Sequence, residues 1–351
     1  MEFCRRLAER GYLVPHWPAR YGGRDASPWE FVVLGEELWR VGEPRGAQYM
    51  NVNWIGPAIM MAGTEEQKDL HLNRIARGDV LWCQGFSEPG SGTDLGSLRT
   101  RAERVGDNYV VNGEKVWVSY ARHAEFCILL ARTDQRQRGN KGISIFLVPT
   151  DTPGFHVDPI PSVLDVHEFC RLEFENMTIP ASALLGEEHK GWPVVLHALA
   201  HERIAGPRHA RAAFVLERMA DHLQRVAPDL YERFEERISA ARADCSAARV
   251  LTYAAVNERN LHRPEIREVS VARVAIVRAE REVAELGLDI FGDDGVHLGS
   301  VGNSQLKTAM IAGLGAGSVE LQLNMVARYL FRNHEEDGDG SRSVARSVAS
   351  H

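Results

Sequence analysis

Three stretches of this 351-residue chain carry residue types that could do chemistry. The first is Ser87-Glu88-Pro89-Gly90-Ser91-Gly92-Thr93-Asp94. Gly90 and Gly92 read as positions where the backbone turns and a Cβ would clash. Ser87 and Thr93 place hydroxyls beside backbone N–H groups, a combination that can hold a flat polar ligand or a phosphate. The second is Tyr109-Val110-Val111-Asn112-Gly113-Glu114-Lys115-Val116-Trp117-Val118. Its Asn-Gly pair between β-rich runs predicts a hairpin turn. Trp117 then falls on the second strand, where an indole could cover one face of a ring. The plainer alternative makes Trp117 a core residue and the glycine loop only a turn. The third is Ala198-Leu199-Ala200-His201-Glu202-Arg203-Ile204-Ala205-Gly206. Glu202 lies on a predicted helix with an apolar side. A partly buried carboxylate there would have a raised pKa and accept a proton near neutrality. Alternatively, Glu202 pairs with Arg203 or another arginine on a solvated face. Arg203 is either such an ion-pair partner or a contact for an anionic substrate.

Other chemistries find no anchor. His201-Glu202 is followed by no second histidine at the spacing of a zinc protease, and the cysteines are scattered, so no metal site is expected. No Gly-x-Ser-x-Gly marks a serine hydrolase. No Gly-x-Gly-x-x-Gly follows a strand, which argues against a dinucleotide fold. Hydrophobic residues make up 44%, charged residues 25%, and the formal charge is −7, with no basic field for nucleic acid. Net acidity does not exclude an anionic ligand held by a local arginine pocket. Five widely spaced cysteines, Cys4, Cys83, Cys127, Cys170 and Cys245, read as reduced thiols of a cytoplasmic protein. No apolar run approaches the length of a membrane span, and the first residues lack the apolar core of a signal peptide.

The elements that must position these residues fall into three blocks. Residues 1–80 read as helical: a helix over 1–10 stopped by Gly11, a rigid connector through Pro15-His16-Trp17-Pro18 and Gly22-Gly23, and helices over 28–47 and 54–62. A further helix starts at Thr64, with Gln67 in the capping-box position. Residues 81–185 change to short strands, including Phe126–Leu130, Ile143–Val148 and a run around Phe174. Their alternation and turn spacing suggest an antiparallel sandwich or barrel. Residues 186–332 return to helix, with 3.6-period faces over 191–220, 227–259, 264–288, 301–313 and 317–331. Breaks fall at Gly206-Pro207, Pro228, Pro264 and 292–295. Long helices at this spacing predict an antiparallel bundle. Residues 333–351 read as a polar, mobile tail.

The pattern Ser87-Glu88-Pro89-Gly90-x-Gly92-Thr93-Asp94, followed by Asn112-Gly113-x-Lys115-x-Trp117, resembles the acyl-CoA dehydrogenase family. The resemblance extends to the Tyr21-Gly22-Gly23 turn and the Gly63-Thr64-Glu65-Glu66-Gln67-Lys68 helix start, and covers nearly the whole chain. It implies a three-domain α+β fold: a helical N-terminal domain one helix shorter than usual, a central antiparallel β domain and a C-terminal four-helix-bundle-like domain. It also implies FAD. By the resemblance, Phe86 and Ser87 match the pyrimidine end of the flavin ring, Trp117 packs on the isoalloxazine, and Val118 and Ser119 flank it. Ser318 and Gln322 match residues that meet the flavin nucleotide. Thr93 matches a position near the pantetheine and phosphates of an acyl-CoA, and Arg203 a position on the CoA side. Glu202 matches the base of those members that carry it on this helix. It would remove the Cα proton while a hydride passes to flavin, and an electron-transferring flavoprotein or similar acceptor would reoxidise the flavin. The second base position of the family is here Ala316, which has no acid, and Glu320 is not assigned as a base.

Two departures stand out. The family's Arg-x-x-Phe-Gly motif has no counterpart in 216–234, where Arg218, Arg225 and Arg233-Phe234 lack its spacing. The Gln-x-x-Gly-Gly-x-Gly stretch reads Asp289-Ile290-Phe291-Gly292-Asp293-Asp294-Gly295. Carboxylates near a pyrophosphate would repel it unless a cation intervenes. The chain therefore resembles subunits of bacterial steroid side-chain members. Those pair with a second acyl-CoA dehydrogenase-like chain in a heterotetramer. The alternative is a non-catalytic partner subunit, or a flavin enzyme of this fold with a non-CoA substrate.

Overall fold

The computed structural model describes residues 1–42, 45–162, 169–204, 207–263, 266–292, 301–315 and 317–331. The tail predicted over 333–351, the catalytic-position Ala316, and Asp293 and Asp294 lie outside them. The chain divides into two compact units, 1–205 and 206–351.

The first unit opens with α1 (Glu2–Glu9), which ends where Gly11 takes a φ of 70°. The connector that follows folds around Trp17. Its indole is fully buried and donates to Val52 O at 2.9 Å, and a Cβ at Gly56 would overlap its ring. Helix α2 (Pro28–Arg40) is shorter than expected and is followed by Gly42 at φ 93°. The next helical run starts earlier than expected. It comprises α3 (Gln48–Met50), a π-helical turn over Asn51–Ile55 and α4 (Gly56–Ala62). Asn51, buried in this apolar run, bonds twice to the start of the sheet region: its Nδ2 donates to Val80 O, and its Oδ1 accepts from Trp82 N. Helix α5 (Glu65–Ala76) carries the expected capping box, with Gln67 N donating to Thr64 Oγ1 at 3.2 Å and Thr64 N to Gln67 Oε1 at 3.1 Å.

Eight strands follow: β1 (Trp82–Gly85), β2 (Arg101–Val105), β3 (Asn108–Ser119), β4 (Phe126–Arg132), β5 (Ile143–Pro149), β6 (Phe155–Ile160), β7 (Phe169–Pro180) and β8 (Leu184–Leu185). They form one sheet in the order β6-β7-β3-β2-β4-β5-β8, with β1 paired to β4. Most pairs are antiparallel, as alternation suggests, but β1–β4 and β2–β4 run parallel. The hairpin expected at Asn112-Gly113 is not there. The turn between β2 and β3 lies at Gly106-Asp107, and Asn112-Gly113 sits inside β3. Gly113 takes φ 144° at a register shift against β7, where a Cβ would come within 2.7 Å of Thr100. The glycine marks a bulge and a close approach rather than a turn.

Helix α6 (Trp192–Ile204) closes this unit. Its Val194, Val195 and Ala198 join one apolar core with Trp17, Ile59 and Trp82. A second core under the sheet gathers Cys83, Cys127, Phe146, Cys170 and Phe174. All five cysteines are reduced and buried.

In the second unit, α7 (Arg208–Val226) starts after Pro207, the predicted break. Helices α8 (Pro228–Asn260), α9 (Ile266–Phe291), α10 (Val301–Ile311) and α11 (319–331) complete the described part. Small and aliphatic residues such as Ala212, Leu216, Ala241, Ala248, Ala279 and Val283 bring α7, α8 and α9 together.

Candidate functional site

The polar loop after β1 is shaped by its own hydrogen bonds. Glu88 N donates to Ser91 O at 2.8 Å and Ser91 N to Glu88 O at 3.0 Å, closing a tight turn with Pro89 and Gly90 at its tip. Ser91 Oγ and Ser97 Oγ both donate to Asp94 O at 2.8 Å. The expected reason for Gly90 and Gly92 does not hold. Neither has a positive φ, and a Cβ on either would meet nothing within 4 Å. The paired backbone bonds and Pro89 already make the turn, so the glycines leave open space above it. Arg132, buried at the end of β4, donates to the carbonyls of Gly96, Leu98, Gln137, Gly139 and Lys141 and fixes the far side of the loop.

Beneath the loop lies a buried ion pair that sequence reading did not find. Lys115 on β3 is 0% exposed. Its Nζ is 2.8 Å from Glu88 Oε1 and donates to Phe86 O at 3.0 Å. Glu88 also accepts from Arg99 N at 2.6 Å and Thr100 N at 2.9 Å. Burial raises the Glu88 pKa, but the Lys115 charge and these bonds outweigh it and hold the carboxyl below its ordinary range. Burial pushes Lys115 down to about 8, against the pull of Glu88. At neutral pH both groups are charged. The residue types were visible in the sequence. Only the register of β3 against the loop brings them together.

One residue further along β3, Val116 N donates to Ser87 O at 2.9 Å. A second register shift between Lys115 and Val118 then places Trp117 in the left-handed region at φ 58°. That conformation is strained for a bulky residue. The indole is 60% exposed and stands edge-on to Phe169, 6.0 Å between centroids. The alternative of a core tryptophan is therefore excluded. Val118 points into the core, and Ser119 pairs with Phe169. The hydroxyls of Ser87 and Ser119, both half-buried, have no hydrogen-bond partner among the described residues. Phe86 is buried in the first core and its carbonyl accepts from Lys115, so its ring is structural. Thr93 is exposed at the loop's end. A planar polar ligand fits this ledge: an exposed indole face beside two unengaged hydroxyls.

Glu202 is half-buried on α6 and is engaged by a neighbouring group of the protein. The side chain of Arg203 lies outside the described residues. In the second unit, Ser318 caps α11. Its Oγ accepts from Leu321 N at 3.2 Å and its carbonyl from Gln322 N at 3.0 Å. Gln322 is fully buried, and a Cβ on Gly317 would come 2.7 Å from its Nε2. Glu320 is exposed and held below its usual range by its own backbone N–H and the Ser318 hydroxyl. Arg218 and Arg233 lie over the rings of Phe214 and Phe234, and Arg225 bonds to Asp221 O. Asp289, expected to repel a pyrophosphate unless a cation intervenes, has such a cation beside it. Arg237 Nη1 lies 2.5 Å from it, with Glu282 also within 3.5 Å of that guanidinium. The cation that the repulsion argument left open is supplied by the chain's own α8. Among the described residues no three His, Cys, Asp or Glu side chains converge on a metal position.

Fold and site together define a helical–β–helical protein whose central sheet carries an aromatic ledge. The family profiles for the acyl-CoA dehydrogenase N-terminal, middle and C-terminal domains match residues 1–79, 83–177 and 189–331. The chain belongs to the acyl-CoA dehydrogenase family. It is 31% identical over 294 residues to acyl-CoA dehydrogenase IpdE1 of Mycobacterium tuberculosis, covering 83% of this chain and 76% of that protein. Among solved structures, the Tcur3481-Tcur3483 steroid ACAD superposes with a TM-score of 0.85 at 30% identity, over 94% of this chain and 88% of that one. The ChsE4-ChsE5 complex from Mycobacterium tuberculosis gives 0.84 at 28%, over 93% and 87%. The resemblance to steroid-acting, two-component members is thus carried by both sequence and fold.

Proposed function

We propose that this chain is the ring-binding subunit of an FAD-dependent acyl-CoA dehydrogenase, with Glu202 as the base that takes the Cα proton. The observation that carries the reading is Trp117: a large indole, exposed, held in a strained conformation beside the unengaged Ser87 and Ser119 hydroxyls. A core residue would not be placed so. Phe86 (through its backbone), Ser87, Trp117, Val118 and Ser119 would hold the isoalloxazine. A bound flavin supplies the two-electron acceptor that no side chain can provide. Glu202 would stand on a helix whose other face is anchored in the core. Thr93 and Arg203 would face the CoA part of the substrate. The reduced cofactor would be reoxidised by an electron-transferring flavoprotein or similar acceptor, in the cytoplasm.

The nucleotide side of the chain favours a heterotetramer over a symmetric homotetramer. Ser318 and Gln322 match residues that meet the flavin nucleotide, yet the Ser318 hydroxyl caps a helix and Gln322 is buried. A second acyl-CoA dehydrogenase-like chain would supply those contacts. The similar structures are of a steroid ACAD and of a complex of two differently named chains. A bulky polycyclic acyl group is the substrate class this suggests.

The test is to purify the chain alone and with a neighbouring gene product of the same family, and to record the visible spectrum. Flavin absorbance in the co-purified form supports the reading. Its absence in both preparations overturns it, and a yellow homotetramer overturns the heteromer. Glu202→Gln should keep the flavin while slowing anaerobic bleaching by acyl-CoA about 10²–10⁴-fold. Unchanged bleaching would move the base elsewhere.

A further inference from the structure

We propose that Lys115 and Glu88 act as a pair of positioning residues, cross-tying the loop at 86–88 to β3 so that Ser87 and Trp117 present one surface. The inference rests on the flavin reading of this site. Its evidence is geometric. The Lys115 ammonium holds two points of the loop at once, the Phe86 carbonyl at 3.0 Å and the Glu88 carboxylate at 2.8 Å. Glu88 holds the start of β2 through the Arg99 and Thr100 amides. One residue after Lys115, the Val116 amide holds the Ser87 carbonyl. The next residue is Trp117, at the bulge. Loop, β2 and β3 therefore meet at one buried charge pair, directly beneath the two residues assigned to the ring. A hydrophobic pair of similar volume could fill this space at little or no cost in stability. What it could not do is direct three separate backbone segments to one point. Buried ion pairs are better supported as devices for register than for stability, and here the register in question is that of the ligand-facing ledge.

A field effect is the competing role for a buried cation near a flavin. The geometry disfavours it, because the Glu88 carboxylate at 2.8 Å neutralises most of the ammonium charge at longer range. The two roles make opposite predictions for the single variants. As positioning residues, Glu88→Gln and Lys115→Met should both weaken FAD binding. As a source of field, they should shift the flavin midpoint potential in opposite directions and leave the oxidised cofactor's affinity unchanged.

Each single variant strands a buried charge and can fail to fold. The decisive protein is therefore the double variant Glu88→Gln/Lys115→Met, in complex with its partner subunit if flavin requires one. It carries no buried charge at this position, and the amide that replaces the Glu88 carboxylate keeps one oxygen to accept from either the Arg99 or the Thr100 amide. Two quantities are read: hydrogen exchange of the Val116 amide without cofactor, and the FAD dissociation constant by titration. With the melting temperature within a few degrees of the parent, exchange at Val116 should rise at least ~10-fold and the dissociation constant at least ~10-fold. A folded double variant with unchanged FAD affinity overturns the inference, as do opposite potential shifts in the single variants. If the parent protein takes up no flavin in any form, the flavin reading fails. Unchanged Val116 exchange would then also reject the cross-tie.

Discussion

The polar residues at the positions matched by the family's site are engaged differently in the two units of the chain. In the first, Glu88, Lys115 and Arg132 bond almost wholly to backbone of other segments, and near them the Ser87 and Ser119 hydroxyls are left unengaged and the Trp117 indole is exposed. In the second, the residues at the family's ligand positions are engaged within the bundle: Ser318 caps α11, Gln322 is buried against Gly317, and Asp289 on α9 pairs with Arg237 on α8. Polar groups directed inward at backbone build a surface that can receive something else. Polar groups paired locally build only a helix bundle. The contrast supports the proposal that this chain's contribution to a shared site lies in its central domain.

The contrast can be broken most forcefully at Gly113. Alanine there would need φ 144° and would place its Cβ 2.7 Å from Thr100 Cα and Oγ1. Thr100 is also held by Glu88, so the strain falls on the cross-tied region. Gly113→Ala should cost at least ~2–3 kcal/mol by thermal or urea unfolding. A loss under ~1 kcal/mol would mean that the bulge adapts freely and that the ledge is not rigidly specified.

The second test concerns acid. His71 is buried on α5 and packs edge-on against Trp82 and Phe126, with ring centroids at 4.9 and 5.0 Å. Burial, helped by the Arg74 charge, pushes its pKa down to about 4. The unfolded chain binds that proton near pH ~6.5, so the unfolded state holds more protons between ~6.5 and ~4. Stability from a neutral His71 is complete above pH ~6.5 and lost as pH falls towards ~4. From about pH 7 to pH 5 the loss should be ~2 kcal/mol. His71→Phe should flatten that slope in urea titrations. An unaltered slope would assign the acid sensitivity to other groups.

The smallest effects sharpen the comparison most. Trp117→Asn replaces the most exposed large side chain of the site with a residue that tolerates a left-handed backbone. It should change stability by less than ~1 kcal/mol while removing flavin. Ser318→Ala deletes a helix cap and should cost ~1 kcal/mol while flavin content per chain stays unchanged. The reverse pairing, with Trp117 structural and Ser318 ligand-bound, would overturn the division drawn between the two units.

These regions also differ in how legible they are in the sequence. Local signals read well. The Thr64–Gln67 capping box, the stop at Gly11 and the break at Pro207 depend on residues within a few positions of one another. Helix periodicity places α6 through α11 because each face is written into one continuous segment. Signals that depend on pairing across the sheet read poorly. Asn112-Gly113 carries the same two letters as a hairpin turn, and only the register with β7 and the approach of Thr100 make it a bulge. Glu88 and Lys115 are 27 positions apart, and Arg237 and Asp289 are 52 apart. Nothing in either neighbourhood announces the partner. The residues proposed to face a ligand are found through the family motif, while the buried groups beside them are found only in three dimensions.

The first apolar core has a consequence in time. It joins Trp17, Ile59 and Ile75 to Val195 and Ala198 of α6, and β1 enters the sheet beside β4. From Ala76 at the end of α5 to Trp192 at the start of α6 the ribosome must add more than a hundred residues. At about 5–20 residues per second that takes roughly 6–23 seconds. Throughout this interval the N-terminal helices have their mutual contacts but not their final cover, while β1 meets its partner β4 about halfway through it. The nascent chain thus presents an apolar face long after it has emerged. The helix that carries the proposed catalytic glutamate is also the piece that ends this exposure.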